Sequence, residues 1–534
     1  MAQDRDTDPR SLYEYVQSIR REIRDEGRPE AVKKQHQQGS MTARERIKYL
    51  CDDDSFKEIG LFAAPAPNTP ETVNWDRADA PADGIVTGIG QIDGRSVGIV
   101  ASDYTVKGGS RGETARQKEN RILQIALRRG IPVVMLQDGS GQRIQEGLDA
   151  RTFGKSGTVA GDNTITLLRK LSGWVPTVSA VMGDSFGGPT NYSTQSTFVP
   201  VIHGQARMGV AGPALVQEAF GDDVDVDDYA SAQIHVTESG IADIGCDDDE
   251  HCLDVIRTFL SYLPTNSNEE PPRSDRYEPP TDAEKERLLD IMPEKKTKGY
   301  DIHEVINGIV DRESVFEIKP AFARNLVTAF ARIEGRSVGI MANNPRFKAG
   351  TVDANAADKA AQHVATCDAF GLPLLTLTDT PGLMPGPNTE RAGIANHAAN
   401  MLFEVNRATV PKLNVVLRRG YGFGYNLMAS GRSNNSELAA AWPTAEICAM
   451  GIEGAVDIAY RSEIEAANDP DAKRETLVET FQDRTDAVRA AEGMGIDTVI
   501  DPSETRDWIA HTLKATSGPT KEGWPPKKRS IRPL

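Results

Sequence analysis

The feature that most constrains the fold of this 534-residue chain is an internal repeat. The hexapeptide GRSVGI occurs at residues 94–99 and again at 335–340, an offset of 241 residues. The same offset relates GIPVVMLQDGSG, which starts at Gly130, to GLPLLTLTDTPG, which starts at Gly371. Solenoids repeat every ~20 to 50 residues, so a separation this long indicates two tandem copies of one domain.

A third block extends the repeat toward the end of each copy. VPTVSAVMGDSFGGPTN, from Val175, aligns with VPKLNVVLRRGYGFGYN, from Val410, at an offset of 235 residues. MGVAG at Met208 then aligns with MGIEG at Met450. The blocks keep their order, and a six-residue insertion or deletion separates the second block from the third.

Within each copy, the apolar pattern switches between strand and helix spacing. Two apolar segments joined by a Gly-Arg turn, at residues 92–98 and 333–339, predict a strand hairpin. Residues 113–129 and 356–370 carry apolar side chains at helical spacing, and a glycine follows each. The runs PVVML and PLLTL predict buried strands. This alternation predicts an α/β fold with much parallel pairing.

The segments outside the repeat are polar. Residues 264–283 are rich in Pro, Asn and Glu, which predicts a linker. In the charged N-terminal region, Thr42 and Glu45 have the spacing of a capping box. The predicted organisation is an N-terminal helical segment at 1–60, a first domain at 61–263, the linker at 264–283, a second domain at 284–518 and a basic tail at 519–534.

Composition excludes several functional classes. Lys and Arg number 61 against 78 Asp and Glu, a net charge of −17, which argues against a nucleic-acid partner because phosphates demand a basic surface. The five cysteines form no close CxxC pairs, so we expect reduced thiols in the cytoplasm. Apolar runs are far shorter than the ~20 residues of a membrane-spanning helix, and we expect no membrane insertion.

The sequence lacks the usual side-chain catalysts. It holds no HExxH, no Walker loop and no correctly placed GxGxxG, and its eight histidines do not cluster at metal-ligand spacing. Glycines instead recur where strands should end, in both copies. Two backbone N–H groups at such turns could hold an enolate oxygen, although tight turns use glycine for purely structural reasons as well.

Several long motifs resemble one known family. They are TARERI at 42–47, KGGSRGE at 107–113, RIQEG at 143–147, FLSYLP at 259–264, CDAFGLPLLTLTDTPG at 367–382 and AWPTAE at 441–446. Together they make the chain similar to the carboxyltransferase (β) subunit of biotin-dependent acyl-CoA carboxylases of the propionyl-CoA type. The resemblance covers nearly the whole chain and implies two tandem crotonase-like (ββα-superhelix) domains.

The resemblance also implies a mechanism without a side-chain base. Carboxybiotin would supply the base and the carboxyl group, and the protein would orient the reactants and stabilise two oxygens. The first domain would take acyl-CoA and the second carboxybiotin, with the site between domains at a subunit interface. The implied catalytic N–H groups belong to Gly187 and Gly188 on the acyl-CoA side, and to Phe423 and Gly424 on the biotin side.

The same resemblance implies substrate contacts and partners. The implied substrate-binding residues are Gly139, Gly141, Arg143, Tyr425 and Asn426. No biotinylation motif and no biotin carboxylase sequence occur in the chain, so a partner carrying biotin carboxylase and biotin carboxyl carrier domains is expected. Family members assemble as a dimer of trimers, which implies a homo-hexamer here. No metal ion is implied.

This chain departs from the family pattern where the site is expected. The usual AGGAVY is FGGPTN, so Pro189 follows the glycine pair and has no N–H to donate. The usual YGGAYD is YGFGYN, which puts Phe423 in place of a glycine and Asn426 in place of an aspartate associated with acyl-chain preference. The usual DSGGAR is DGSGQR. The acyl group therefore need not be acetyl or propionyl.

Some charged residues are open to two interpretations. Asp138 and Asp379 end equivalent strands, and an aspartate in a turn or helix cap is the more common role. Arg143 could bind a CoA phosphate or form an internal salt bridge. Four basic residues lie near the expected CoA entrance but should mostly form a solvated helix face: Arg111, Arg116, Lys118 and Arg121.

Three alternative functions remain open at this point. A biotin-dependent acyl-CoA decarboxylase α subunit would run related chemistry in reverse. A crotonase-like hydratase or isomerase would act on acyl-CoA without biotin, and it would need an acidic residue beside the acyl site. A non-catalytic assembly subunit would account for Phe423 and Pro189.

Overall fold

The computed structural model describes residues 8–67, 72–148, 150–154, 162–221, 224–295, 297–434, 436–516 and 530–534. The chain divides into two compact units, with the division between Ser261 and Tyr262. Among the described residues, no helix is long and apolar enough to cross a membrane. The described cysteines are all free thiols.

Unit 1 alternates helices and strands. Its helices are α1 (Pro9–Ile23), α2 (Pro29–Gln37), α3 (Ala43–Leu50), α4 (Glu113–Arg129), α5 (Ile144–Gly147), α6 (Ala150–Phe153), α7 (Thr164–Leu171), α8 (Gly188–Thr194), α9 (Pro213–Phe220), α10 (Asp227–Ala230), α11 (Ala232–Thr237) and α12 (Asp249–Tyr262). Its strands are β1 (Lys57–Glu58), β2 (Ile85–Ile92), β3 (Arg95–Ser102), β4 (Val133–Gly139), β5 (Thr177–Phe186), β6 (Pro200–Ile202), β7 (Arg207–Gly209) and β8 (Ile244–Cys246).

The strands of unit 1 form one mixed sheet. Its order is β1-β2-β3-β4-β5-β6-β8, and β7 pairs with the end of β5. The pairs β1–β2 and β2–β3 are antiparallel, and every later pair is parallel. Helices α4 and α7 contribute Ile122 and Leu168 to the fully buried core against the sheet. The parallel strands therefore end at one common edge.

Unit 2 contains the corresponding elements. Its helices are α13 (Asp282–Asp290), α14 (Ile302–Ile309), α15 (Ala354–Phe370), α16 (Pro387–Arg391), α17 (Ile394–Arg407), α18 (Gly422–Leu427), α19 (Ile452–Ala459), α20 (Arg461–Glu465), α21 (Pro470–Gln482), α22 (Ala487–Glu492) and α23 (Thr505–Ala515). Its strands are β9 (Phe316–Ile318), β10 (Leu326–Ile333), β11 (Arg336–Asn343), β12 (Leu374–Thr380), β13 (Lys412–Tyr421), β14 (Leu438–Ala441), β15 (Glu446–Cys448) and β16 (Thr498–Val499).

The second sheet has the same topology as the first. Its order is β16-β14-β13-β12-β11-β10-β9, and β15 pairs with β13. Strands β9 to β11 pair antiparallel and the rest parallel, as β1 to β3 and the rest do in unit 1. The predicted α/β fold in two copies is therefore confirmed.

The predicted local elements also form. Each hairpin turns through two residues of positive φ, Asp93-Gly94 in unit 1 and Glu334-Gly335 in unit 2, as a tight hairpin turn requires. Gly130 and Gly371 end α4 and α15 in the left-handed conformation. The capping box of Thr42 and Glu45 starts α3.

The segments outside the repeat are only partly described. Residues 264–280 contain neither helix nor strand, α13 begins at Asp282, and the whole segment is grouped with unit 2. The predicted tail at 519–534 lies outside the described residues as far as 529. At its end, Arg532 donates to the Asn400 side chain at 3.1 Å.

Close backbone contact at the strand ends requires glycine. A Cβ on Gly109 would lie 2.2 Å from the Asp138 carbonyl oxygen, and one on Gly139 would lie 2.3 Å from the Gly109 carbonyl oxygen. In unit 2, a Cβ on Gly350 would lie 2.5 Å from the Asp379 carbonyl oxygen. The glycine turn before each long helix therefore packs directly on the end of β4 or β12.

Replacement of Gly109 by alanine tests this contact. Gly109 has φ +63° and no room for a Cβ, whereas Gly204 has φ +72° and no atom within 4 Å of the position that a Cβ would take. Gly204→Ala should cost only the left-handed strain of about 1–2 kcal/mol. Gly109→Ala should add an overpacking cost of about 1–3 kcal/mol. Urea unfolding of the two variants measures the difference, and equal losses would contradict the packing described.

Candidate active site

The chain reverses after β5 at the first predicted glycine pair. Gly187 has φ +71°, and its N–H donates to the Gly209 carbonyl at 2.8 Å. That N–H is therefore not available to a ligand, and the prediction that Gly187 donates to an oxyanion is wrong. Gly188 opens α8, and its N–H has no acceptor among the described residues. Gly187 shapes the turn, and Gly188 offers the free donor.

The loop after β4 packs against this turn. Gly141 has φ +90°, and a Cβ on it would lie 2.5 Å from the Phe186 carbonyl oxygen. The Gly141 carbonyl accepts from the Arg111 N–H at 2.8 Å. Gly139, which ends β4, pairs with Ser185 near the end of β5. Both predicted glycines thus bring the two loops together, and direct substrate contact by either remains a prediction.

Arg143 serves the interior of this loop. Its guanidinium lies 2.8 Å from Asp83 and 2.7 Å from Glu146, and all three side chains are buried. It also donates to the Ser110 carbonyl. Of the two interpretations of Arg143, the structure shows the internal salt bridge. Its guanidinium pairs with these two carboxylates, and contact with a CoA phosphate remains a prediction.

A series of buried hydrogen bonds connects α8 to strands β4 and β5. Arg111 donates to Gln137 at 2.5 Å, and Gln137 donates to Ser179 at 3.3 Å. Ser179 lies 2.9 Å from Ser193, whose hydroxyl donates to the Pro189 carbonyl at 3.1 Å. This chain runs from the start of α4 through β4 and β5 to the first turn of α8. It fixes the helix that presents the Gly188 N–H.

The equivalent turn in unit 2 follows β13. Gly422 has φ +55°, and a Cβ on Gly424 would lie 2.8 Å from the Gly382 Cα. Phe423 lies between them, and its side chain is 43% exposed. The N–H groups of Phe423 and Gly424 lie in the first turn of α18 and have no acceptor among the described residues. Both predicted donors are therefore available at this helix start.

Tyr425 and Asn426 follow in α18. The Tyr425 ring packs on Gly420 and Gly431, where a Cβ would lie 2.8 Å and 2.6 Å from its atoms. Burial raises the pKa of the Tyr425 hydroxyl to about 12, so it stays protonated at neutral pH. The Asn426 side chain is half-buried, and its carbonyl accepts from the Ala429 N–H. Tyr425 packs beneath the turn, and a substrate contact by either residue remains a prediction.

Asp138 and Asp379 are buried ion-pair partners, which corrects their predicted role as turn or cap residues. Arg46 of α3 lies 2.7 Å from Asp138, whereas Arg418 and Arg419 of β13 lie 2.9 Å and 2.7 Å from Asp379. At the position equivalent to Arg418, unit 1 has Gly183, and a Cβ there would lie 2.2 Å from the Asp138 carboxylate. The sequence signal for Arg418 was this Gly-to-Arg exchange between the aligned copies.

Three of the four basic residues expected near the CoA entrance are buried, so the predicted solvated face is wrong for them. Arg111, Arg116 and Lys118 are at most 9% exposed, and only Arg121 of the four is exposed. Lys118 donates to the carbonyls of Ala82 and Ile85, and burial lowers its pKa to about 8. The equivalent Lys359 donates to three carbonyls, and burial lowers its pKa to about 7. These two lysines hold the turn that leads into each hairpin.

The described residues contain no cluster of His, Cys, Asp or Glu suited to a metal ion. The arrangement offers backbone N–H groups at two helix starts, one in each unit. Preorganised donors of this type stabilise an oxyanion that develops during a reaction.

Comparison with known proteins gives one family for the whole repeat. The family model described as "Carboxyl transferase domain" matches residues 34–531. The propionyl-CoA carboxylase carboxyltransferase subunit of Haloferax mediterranei is 39% identical over 509 residues, which cover 95% of this chain and 96% of the relative. The methylmalonyl-CoA decarboxylase subunit alpha of Veillonella parvula is 37% identical over 510 residues, 95% of this chain and 96% of the relative.

A solved structure has the same fold over nearly the full length. It is the transcarboxylase 12S crystal structure, described as a hexamer assembly with methylmalonyl-coenzyme A and methylmalonic acid bound. Its TM-score is 0.89 at 38% sequence identity, and the match covers 98% of this chain and 99% of that chain.

Removal of the Arg46 side chain tests the buried ion pairs of unit 1. Arg46 also contacts Asp249, and Arg46→Met would leave two buried carboxylates without this partner. We expect unit 1 to lose about 3–5 kcal/mol of stability at pH 8. The exposed Arg10→Met is the control.

The pH dependence of this loss follows from the charges. Burial already raises the pKa of Asp138, and loss of Arg46 should raise it further. Protonation removes the unpaired charge, so the defect should shrink from pH 8 to pH 5. Denaturant unfolding at both pH values measures it, and a loss that is constant or grows toward pH 5 would refute this explanation.

Proposed function

Because the chain belongs to the carboxyl transferase family, we propose that it transfers a carboxyl group from N1-carboxybiotin to the α-carbon of a short acyl-CoA. The observation that carries the proposal is the family match over residues 34–531, which spans both copies of the repeat. A transferase that joins two reactants needs a place for each. Two copies of one domain, each with N–H donors at a helix start, supply two such places.

In unit 1, we assign the acyl thioester to the start of α8. The Gly188 N–H is free to donate to the thioester oxygen as negative charge develops on it. Removal of one such donor typically costs ~2.7 to 4 kcal/mol of transition-state stabilisation. Gly187 and the hydrogen-bond chain that ends at the Pro189 carbonyl hold this N–H in place. Pro189 lies beyond the donor and does not remove it.

In unit 2, we assign the biotin ureido oxygen to the start of α18. Carboxybiotin, when bound, supplies both the carboxyl group and the base for the α-proton. The residues present suit this group, because the absence of a Cβ at Gly424 lets α18 approach Gly382 and leaves two N–H donors free. The donors are the backbone N–H groups of Phe423 and Gly424. A backbone N–H group stays neutral and protonated throughout the reaction.

Partners and setting follow from the same proposal. The chain would receive carboxybiotin from a partner that carries biotin carboxylase and biotin carboxyl carrier domains. A homo-hexamer is supported by the hexamer assembly of the transcarboxylase 12S structure. The free cysteines suit a reducing compartment, and we propose the cytoplasm.

The second candidate is an acyl-CoA decarboxylase α subunit. The specific observation in its favour is the Veillonella parvula relative, whose 37% identity is close to the 39% of the carboxylase relative. A hydratase or isomerase would need a free acid beside the acyl site. Asp83, Asp138 and Glu146 form ion pairs with arginines, whereas Asp184, near the end of β5, forms no salt bridge with the described residues, and burial raises its pKa.

The proposed function is tested by a forward assay with purified components. The chain would be co-purified with biotinylated partners and assayed with ATP, bicarbonate and a panel of acetyl-, propionyl-, butyryl-, branched and hydroxylated acyl-CoAs. Acyl-CoA-dependent fixation of labelled bicarbonate that needs both the partner and this chain supports the proposal. Turnover of acyl-CoA by the chain alone, without biotin, would support a crotonase-like enzyme instead.

Gly424→Ala should impair transfer by disturbing the biotin side. The new Cβ would lie 2.8 Å from the Gly382 Cα and 2.9 Å from the Thr380 Cγ2, so α18 must shift. We expect kcat to fall by about 100-fold or more, the cost of one misplaced oxyanion donor. Gly454→Ala in α19 is the matched control, since its Cβ meets nothing within 4 Å. A Gly424→Ala enzyme with unchanged kcat would remove this turn from the mechanism.

Phe423→Gly separates the two sides of the reaction. The Phe423 side chain is exposed at the start of α18, and its replacement leaves the backbone donor in place. We expect the KM for free biotin to change by about 5-fold or more, consistent with 1 kcal/mol or so for an aromatic contact. The KM for acyl-CoA should stay within 2-fold. Steady-state kinetics in both substrates measures this, and a change confined to acyl-CoA would reverse the assignment.

A further inference from the structure

A buried charged cluster lies beneath the acyl side of unit 1. We call it the arginine cluster, and it consists of Arg111, Arg116, Glu119 and Tyr192. These side chains are 3%, 9%, 0% and 7% exposed. Burial of charge is costly, so such a cluster needs either full internal pairing or a function.

Internal pairing does not account for the cluster. Arg111 bonds Glu119 at 3.1 Å through Nε, but its Nη1 is buried without a hydrogen-bond partner among the described residues. Arg116 leaves both Nε and Nη2 buried and unpartnered in the same part of the structure. The two guanidiniums and one carboxylate carry one net positive charge. The cluster therefore has unused donors and excess positive charge.

The unused donors of Arg116 form a recognisable binding edge. Nε and Nη2 are two N–H groups of one planar guanidinium, and arginine uses such pairs to bind a carboxylate through two parallel hydrogen bonds. The two parallel donors suit a carboxylate, whose two oxygens can accept both hydrogen bonds. A single hydroxyl oxygen would not match both donors in this geometry.

The fold itself does not require these charges. At the offset of 241 residues, the second copy has Val352, Ala357 and Ala360 where the first has Arg111, Arg116 and Glu119. All three are buried in the same place in unit 2. The same helix and strands thus form with an apolar interior. The cluster is a specialisation of the acyl side.

Tyr192 connects the cluster to the Gly188 turn. A Cβ built on Gly188 would lie 3.4 Å from the Tyr192 hydroxyl oxygen. Burial raises the pKa of Tyr192 to about 12, and the positive charges of Arg111 and Arg116 act in the opposite direction on the same hydroxyl. Arg111 also donates through its backbone to Gly141, in the loop that packs on Phe186. Tyr192 of the cluster therefore adjoins the place assigned to the thioester.

We propose that Arg116 binds a carboxylate of the acyl-CoA through its Nε and Nη2 atoms and so selects carboxylate-bearing acyl groups. This inference rests on the proposed acyl-CoA site. Two sources can supply that carboxylate. It is either a distal carboxylate on the acyl chain, as in a dicarboxylic monothioester, or the carboxylate that the transfer adds to the α-carbon.

Direct binding tests the inference without turnover. Calorimetric Kd values would be measured on the full chain for two pairs of ligands, succinyl-CoA against butyryl-CoA and methylmalonyl-CoA against isobutyryl-CoA. The first pair differs by a distal carboxylate, and the second by a carboxylate on the α-carbon. We expect one of the charged ligands to bind about 10- to 100-fold more tightly than its neutral counterpart, the range of a charge-assisted pair.

Arg116→Met should abolish that preference. The matched control is Arg121→Met, on the exposed face of the same helix, which should retain it. Loss of a succinyl-CoA preference identifies a distal carboxylate, and loss of a methylmalonyl-CoA preference identifies the transferred one. Arg116→Met should not destabilise the fold, because it removes a buried charge with unpaired donors.

Two results would overturn the inference. One is equal affinity for charged and neutral ligands in the parent protein. The other is a preference that survives Arg116→Met with the fold intact, as judged by its melting temperature. Because binding is measured without biotin, absence of carboxyl transfer with a retained Arg116-dependent preference would refute the proposed function but keep this inference.

Discussion

The structure depends on close backbone contact at the carboxyl ends of the parallel strands. In both units, a glycine turn before the long helix packs on the end of the central strand at a distance that excludes a Cβ. Gly109 and Gly350 make this contact in equivalent positions, and Gly141 and Gly424 bring the next loop against it. The consequence is that helix starts, with unpaired N–H groups, are held rigidly at the edge of each sheet.

The two copies support this edge with different side chains. Unit 1 places Arg46, from a helix outside the repeat, on Asp138, and Gly183 leaves the space. Unit 2 uses Arg418 and Arg419 of the neighbouring strand on Asp379. One domain has therefore been duplicated and its interior altered, while the glycine contacts stayed. In the proposed reaction, each copy stabilises one oxygen, and neither needs a side-chain base.

The repeat made most of the fold predictable. Glycine caps, hairpin turns and apolar periodicity depend on local sequence, and α4, α15 and both sheets formed where these signals placed them. The hydrogen-bond partners and the burial of charged side chains were harder to predict from the sequence. Whether Gly187 donates outward or to Gly209, and whether Arg116 is solvated or buried, depends on contacts between segments far apart in sequence. Charged residues on a helix predict exposure by default, and tertiary packing overrode that default here.

The central claim is that this chain moves a carboxyl group between acyl-CoA and biotin without a catalytic side chain of its own. The most direct measurement is the reverse half-reaction, with a panel of carboxyl-labelled α-carboxyacyl-CoAs that includes methylmalonyl-CoA, free biotin and the purified chain, in the absence of ATP, bicarbonate and partner proteins. The account predicts biotin-dependent loss of label from at least one CoA ester, with formation of the corresponding unlabelled acyl-CoA. Decarboxylation or any other conversion at the same rate without biotin would contradict it.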